Sequence, residues 1–150
     1  MENEVVVDIA SDSDLVAARA EARALATRLG FSRTDATLIA TAVSEIARNI
    51  VVHVGRGQIV MRLVREERRH GFVATATDDG PGIRDIDSAL AEGNASRGGL
   101  GLGLPGARRL MDEFEVDRGL ERGTTVTMTR WRVLDELELL RERRRDESAR

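Results

Sequence analysis

Apolar residues recur along the chain at helical spacing first and at strand spacing later. Val5-Val6-Val7 is a short β-branched run and reads as an edge strand. Ser11-Asp12-Ser13-Asp14 supplies N-cap chemistry. Leu15, Ala18, Ala22, Leu25 and Leu29 then follow at helical spacing, and Gly30 stops the helix in the usual C-terminal position. Ser32 and Asp35 have capping-box spacing and open a second helix, which runs to about Val52 with Leu38, Ile39, Ala42, Ile46 and Ile50 on its apolar face. Gly55-Arg56-Gly57 breaks that pattern. Residues 58–64 alternate as a strand, 66–71 form a charged turn that places His70 in solvent, and 72–77 form the partner strand of a hairpin.

A Gly-rich stretch follows, with eight of the fourteen glycines between Gly80 and Gly106, so residues 78–106 are mostly loop. A short helix at 86–92 interrupts it, and 104–114 reads as helical with Pro105 tolerated near the first turn. Residues 115–116 and 124–131 read as strands around a turn from Gly119 to Gly123. Beyond residue 132 the chain is charged, with Leu134, Leu137 and Leu140 on one stripe of a short amphipathic helix or of a disordered tail. Grouped strands with helices between them predict an α+β fold: a two-layer sandwich of a mixed, mostly antiparallel β-sheet with helices on one face. One domain over 1–132 and an appended segment over 133–150 fit the length.

Composition narrows the functions available. Aromatic residues make up only 3%, so the core must be aliphatic. Acidic residues number 26 and basic residues 23, a net charge of −3 that leaves no electrostatic footprint for nucleic acid or an anionic membrane. Cysteine is absent, which removes disulfides, thiolate metal sites and Cys nucleophiles. Lysine is absent too, which excludes a Walker A phosphate loop and Schiff-base chemistry and makes Arg the sole phosphate-binding cation available. No apolar run approaches the ~20 residues of a membrane span, and the acidic Met1-Glu2-Asn3-Glu4 is unlike a signal peptide, so a cytoplasmic protein is expected.

Three segments carry candidate chemistry. In Glu45-Ile46-Ala47-Arg48-Asn49, Glu45 and Asn49 share a helix face and offer a proton acceptor and an oxygen ligand for Mg²⁺, or simply a solvated polar face. His53 continues that face if the helix lasts another turn. Asp78-Asp79-Gly80-Pro81-Gly82 follows a strand, where the glycines permit close approach of a ligand and Asp78 can accept a hydrogen bond from an amino group; a plain turn has the same composition. Gly98-Gly99-Leu100-Gly101-Leu102-Gly103-Leu104 leads into a helix, and backbone N–H groups at such a terminus attract anions.

The order of these segments resembles the GHKL ATPase superfamily with its Bergerat ATP-binding fold. Glu45 to Asn49 resembles the N box, Asp78-x-Gly80-x-Gly82 the first glycine box, Gly99-x-Gly101-x-Gly103 the second, and Gly123-Thr124 the closing Gly-Thr element. Glu-Ile-Ala-Arg-Asn, Gly55-Arg56-Gly57-Gln58-Ile59 and the Gly-Leu-Pro-Gly before Arg108-Arg109-Leu110-Met111-Asp112-Glu113-Phe114 are similar to the RsbT family of switch kinases. That resemblance implies a serine/threonine protein kinase using ATP and Mg²⁺. Glu45 would be its catalytic residue, orienting or deprotonating the attacking hydroxyl or water, and Asn49 its Mg²⁺ ligand. Asn49, Asp78, Gly80, Gly82, Ile83, Gly99, Leu100, Gly101, Leu102, Gly103 and Thr124 would bind ATP, with Asp78 on the adenine amino group. Arg97 is either a γ-phosphate contact or a solvated lid residue, and His53 either a site residue or a partly buried ring at the helix end. The implied partners are a STAS-domain substrate and a PP2C-type phosphatase. In the sister RsbW class the second partner is a sigma factor. A homodimer is compatible with either.

Overall fold

The computed structural model describes residues 4–78, 103–118 and 123–148. Five strands and four helices are ordered β1 (Val5–Ile9), α1 (Asp12–Leu29), α2 (Arg33–His53), β2 (Gly57–Arg65), β3 (Arg69–Asp78), α3 (Gly103–Leu110), β4 (Glu113–Arg118), β5 (Thr124–Val133) and α4 (Glu136–Ser148). The fold is α+β, as the pattern predicts. The sheet order is β1-β2-β3-β5-β4, and every pairing among the described strands is antiparallel. The short helix expected at 86–92 lies outside the described residues.

The core forms because one face of the sheet and one face of each long helix are aliphatic. Val5 and Val7, Ile59 and Met61, Phe72, Ala74 and Ala76, Val126 and Met128, and Phe114 and Val116 share the face on which α1 and α2 pack. Leu25, Ile39 and Ile46 meet them from the helices. Each fully buried side chain of this size contributes about 1.5–3 kcal/mol. Helix α1 ends at Gly30, whose φ of 98° is the left-handed cap, and α2 starts where Ser32 Oγ accepts the Asp35 N–H at 3.1 Å. Arg130 ties the layers together: its guanidinium donates to Leu110 O of α3 at 3.0 Å and to Asp35 Oδ1 of α2 at 3.2 Å.

Three local expectations change. The β2–β3 turn is tighter than the charge pattern suggests, closed by the Glu66 N–H to Arg69 O bond of 2.9 Å. His70 is therefore a strand residue, paired with Arg65 and Arg132 in register. Strand alternation turns it inward with Phe72, and it is only 4% exposed rather than solvated. Helix α3 stops at Leu110, and Phe114 belongs to β4, where its ring covers the core face instead of extending a helix. In the C-terminal segment Leu134 is buried before α4 begins, whereas Leu137 and Leu140 are 56% and 50% exposed. Helix α4 meets the domain through its charged side chains instead: Glu138 pairs with Arg132 at 2.6 Å, and Glu142 Oε2 lies 3.9 Å from His70 Nε2.

Candidate functional site at the Asp78 end of the sheet

Strand register places Gly57, Asp78 and Thr124 in one row across β2, β3 and β5. Helix α2 delivers its C-terminal turns to the same end, since only Val54 to Arg56 separate His53 from β2. Ile50 presses on that row: a Cβ at Gly57 would sit 3.0 Å from Ile50 Cγ2 and 2.7 Å from Thr77 O. Gly123 makes a second close passage, with φ of 87° and a would-be Cβ only 2.8 Å from Asp78 O. Glycine at both positions thus lets backbone cross the strand end that carries Asp78, as a side chain would not. Thr124 is buried beside this crossing.

Glu45 and Asn49 lie one turn apart on α2, Glu45 buried and Asn49 half-buried. Glu45 Oε1 accepts the Gly103 N–H at 2.8 Å. That bond joins the helix bearing the candidate base to the first residue of α3, where the glycine-rich stretch ends. A carboxylate at a helix N-terminus satisfies one of its free N–H donors and meets the positive end of the dipole. Gly103 has φ of 69°, which positions this amide without Cβ strain. The linkage between positions 45 and 103 has no signal in the sequence. The roles of Gly57 and Gly123 as backbone crossings are also missing from the motif reading, which treats Gly57 as part of a breaker and of a family motif.

His53 is exposed at the end of α2, the alternative to a partly buried ring. Gly80, Gly82, Ile83, Arg97, Gly99, Leu100, Gly101 and Leu102 lie outside the described residues. Among the described residues no group of three or more His, Asp or Glu side chains could hold a metal ion by itself. An amide oxygen from Asn49 suits Mg²⁺ when most of its shell comes from waters and a ligand's phosphates, the usual arrangement for this ion. The donor set and the glycine-lined crossing therefore fit a magnesium nucleotide. The neighbouring Arg48 has a buried Nε with no hydrogen-bond partner among the described residues.

The family pattern described as histidine kinase-like ATPase domain matches residues 9–130. The chain belongs to this family. The match runs from the end of β1 to Arg130 in β5, so α4 lies beyond it. Among histidine kinase-like ATPase relatives, the serine/threonine-protein kinase RsbT of Bacillus subtilis (strain 168) is 42% identical over 131 residues, covering 87% of this chain and 98% of RsbT. The anti-sigma F factor of Oceanobacillus iheyensis is 31% identical over 138 residues, covering 87% of this chain and 93% of that protein. The anti-sigma F factor of Bacillus licheniformis is 28% identical over 122 residues, with 75% and 81% covered. An ATPase domain implies use of ATP, and no described helix is long and apolar enough to cross a membrane.

Proposed function

We propose that this chain is an ATP-dependent serine/threonine protein kinase of a partner-switching pathway. Its substrate would be a STAS-domain protein, and it would also bind and activate a PP2C-type phosphatase. The observation that carries the reading is the 42% identity to RsbT over nearly the whole of that kinase. The domain would occupy 1–132.

In this reading Asp78 accepts a hydrogen bond from the adenine amino group, with Thr124 beside it. Asn49 supplies an amide oxygen to Mg²⁺, which when bound neutralises charge on the phosphates. Gly80, Gly82 and Ile83 would lie along the nucleotide, and Gly99 to Leu102 would present backbone N–H groups to its phosphates, while the Gly103 N–H is held by Glu45. Glu45 takes the proton of the acceptor hydroxyl as the γ-phosphoryl group passes to the serine or threonine oxygen and ADP leaves. Its Oε1 accepts the Gly103 N–H, so the carboxylate is oriented before any substrate arrives. Partner capture supplies the hydroxyl, so ATP turnover by the chain alone would be slow.

The test is incubation with candidate STAS-domain proteins, labelled ATP and Mg²⁺. Transfer of label to a single Ser or Thr supports the proposal, and absence of transfer to every candidate counts against it. The anti-sigma F relatives favour a second reading, an anti-sigma factor that sequesters a sigma factor and phosphorylates a STAS-domain protein. Co-purification with purified partners separates the two: retention of a PP2C phosphatase favours the first, and retention of a sigma factor the second.

A further inference from the structure

At the far end of the same three strands, Arg65, His70 and Arg132 form a row that mirrors Gly57, Asp78 and Thr124. His70 and Asp78 lie eight positions apart along β3, about 26 Å at strand rise. Helix α4 crosses this end and forms with it a half-open cavity of about 220 Å³. Arg28 from the end of α1, Arg65 and Arg132 from the sheet, and Arg141 and Arg145 from α4 line the cavity. Two carboxylates share it. Glu138 is held by Arg132 at 2.6 Å and Glu142 by Arg145 at 3.3 Å. An excess of three positive charges remains. The side chains of Arg28, Arg65 and Arg141 make no ion pair or hydrogen bond with any described residue.

Arg132 adds an independent observation. Its guanidinium packs against Gly30, where a Cβ would lie 2.8 Å from Nη2, and donates to Leu29 O at 3.2 Å. Its Nε is nonetheless buried and has no hydrogen-bond partner among the described residues. The contact with Gly30 fixes the Arg132 guanidinium at the cleft wall, next to the uncompensated charge of Arg28, Arg65 and Arg141. Guanidinium forks match the oxygens of a phosphate group, which accept several donors at once. The cavity is large enough for such a group.

We propose that this cavity binds a small phosphate solute, either free phosphate or a phosphate monoester. The bound group bridges Arg28 and Arg65 of the domain to Arg141 of α4, so occupancy staples the C-terminal helix onto the sheet. The site is separate from the ATP-binding region and stands whether or not the kinase assignment holds.

The full chain would be titrated calorimetrically with inorganic phosphate and with glycerol 3-phosphate at constant ionic strength, chloride balancing. Hydrogen exchange over 136–148 would be followed in parallel. Saturable binding is expected, with slower exchange in α4. Arg65→Gln and Arg141→Gln should each weaken it about tenfold, the effect of losing one charge-assisted contact. Both residues are exposed, so unchanged melting curves show that the variants are folded. Tighter binding of the monoester identifies it as the natural class, and tighter binding of free phosphate identifies that ion. No saturable binding, or binding indifferent to both substitutions, overturns the proposal. Preference for a phosphoserine peptide over both small solutes also overturns it.

Discussion

The two ends of the sheet use the same three strands and the same face for opposite chemistry. At the Asp78 end the neighbours are glycines, and backbone passes within van der Waals reach of the strand. At the His70 end the neighbours are arginines, and side chains fill the space. A site made by backbone crossings tolerates almost no added volume, because a carbonyl in a ladder cannot move aside. A site made by long charged side chains can yield, because each guanidinium sits on a flexible stem.

The largest expected effect falls on Glu45. Glu45→Gln keeps an oxygen for the Gly103 N–H and loses the proton acceptor. Phosphoryl transfer should fall about 10²–10⁴-fold, while nucleotide affinity and melting temperature hold. Glu45→Ala should lose transfer and also stability, about 1–3 kcal/mol, because the Gly103 N–H loses its partner. Transfer rates and urea unfolding of the two variants separate base from cap. If Glu45→Gln retains transfer, Glu45 is a cap alone.

Asp78→Asn should weaken ATP binding about ten- to a hundredfold, measured by calorimetry with Mg²⁺ present. The same substitution should leave phosphate binding at the His70 end untouched, which makes it a direct check that the two ends are independent.

Glycine substitutions sharpen the contrast. Gly123→Ala and Gly30→Ala both force alanine to positive φ, at about 1–2 kcal/mol each. Gly123→Ala also drives a methyl against Asp78 O, whereas Gly30→Ala meets the tip of Arg132. Urea unfolding should therefore show the larger loss for Gly123→Ala, and equal losses would mean that both ends yield alike.

The smallest effect is a pH dependence at the His70 end. Burial lowers the His70 pKa from its usual 6.5, Glu142 and Glu138 oppose the shift, and Arg65 and Arg132 reinforce it. The unfolded chain then binds a proton that the folded chain resists. Folding stability should decline as pH falls through 6.5 toward the depressed folded value, and be free of this penalty above it. Denaturation at a series of pH values should show this leg in the parent and lose it in His70→Gln.

Legibility in the sequence followed the range of each interaction. The Ser32–Asp35 cap, the Gly30 stop and the apolar stripes of α1 and α2 are readable because each depends on neighbours within about a turn. The edge strand at Val5 and the hairpin partner at residues 72–77 were also legible, from β-branching and alternation. His70 was misplaced because charge around it suggested a turn, although its parity with Phe72 and Ala74 pointed inward. The C-terminal helix was legible as one of two alternatives, but spacing reports amphipathicity and not which face meets the domain, so the burial of Leu134 and the exposure of Leu137 and Leu140 were not.

The residues alone determined the α+β class and the aliphatic core, since each is written in local spacing, and they carried the motifs in which the family resemblance lies. Only the tertiary structure decided that Glu45 holds Gly103 across 58 positions, that Gly123 crosses over Asp78, and that five arginines gather around one cavity. Those outcomes depend on strand register and on how helices seat against the sheet. Both follow from packing the whole chain at once, which no local window contains.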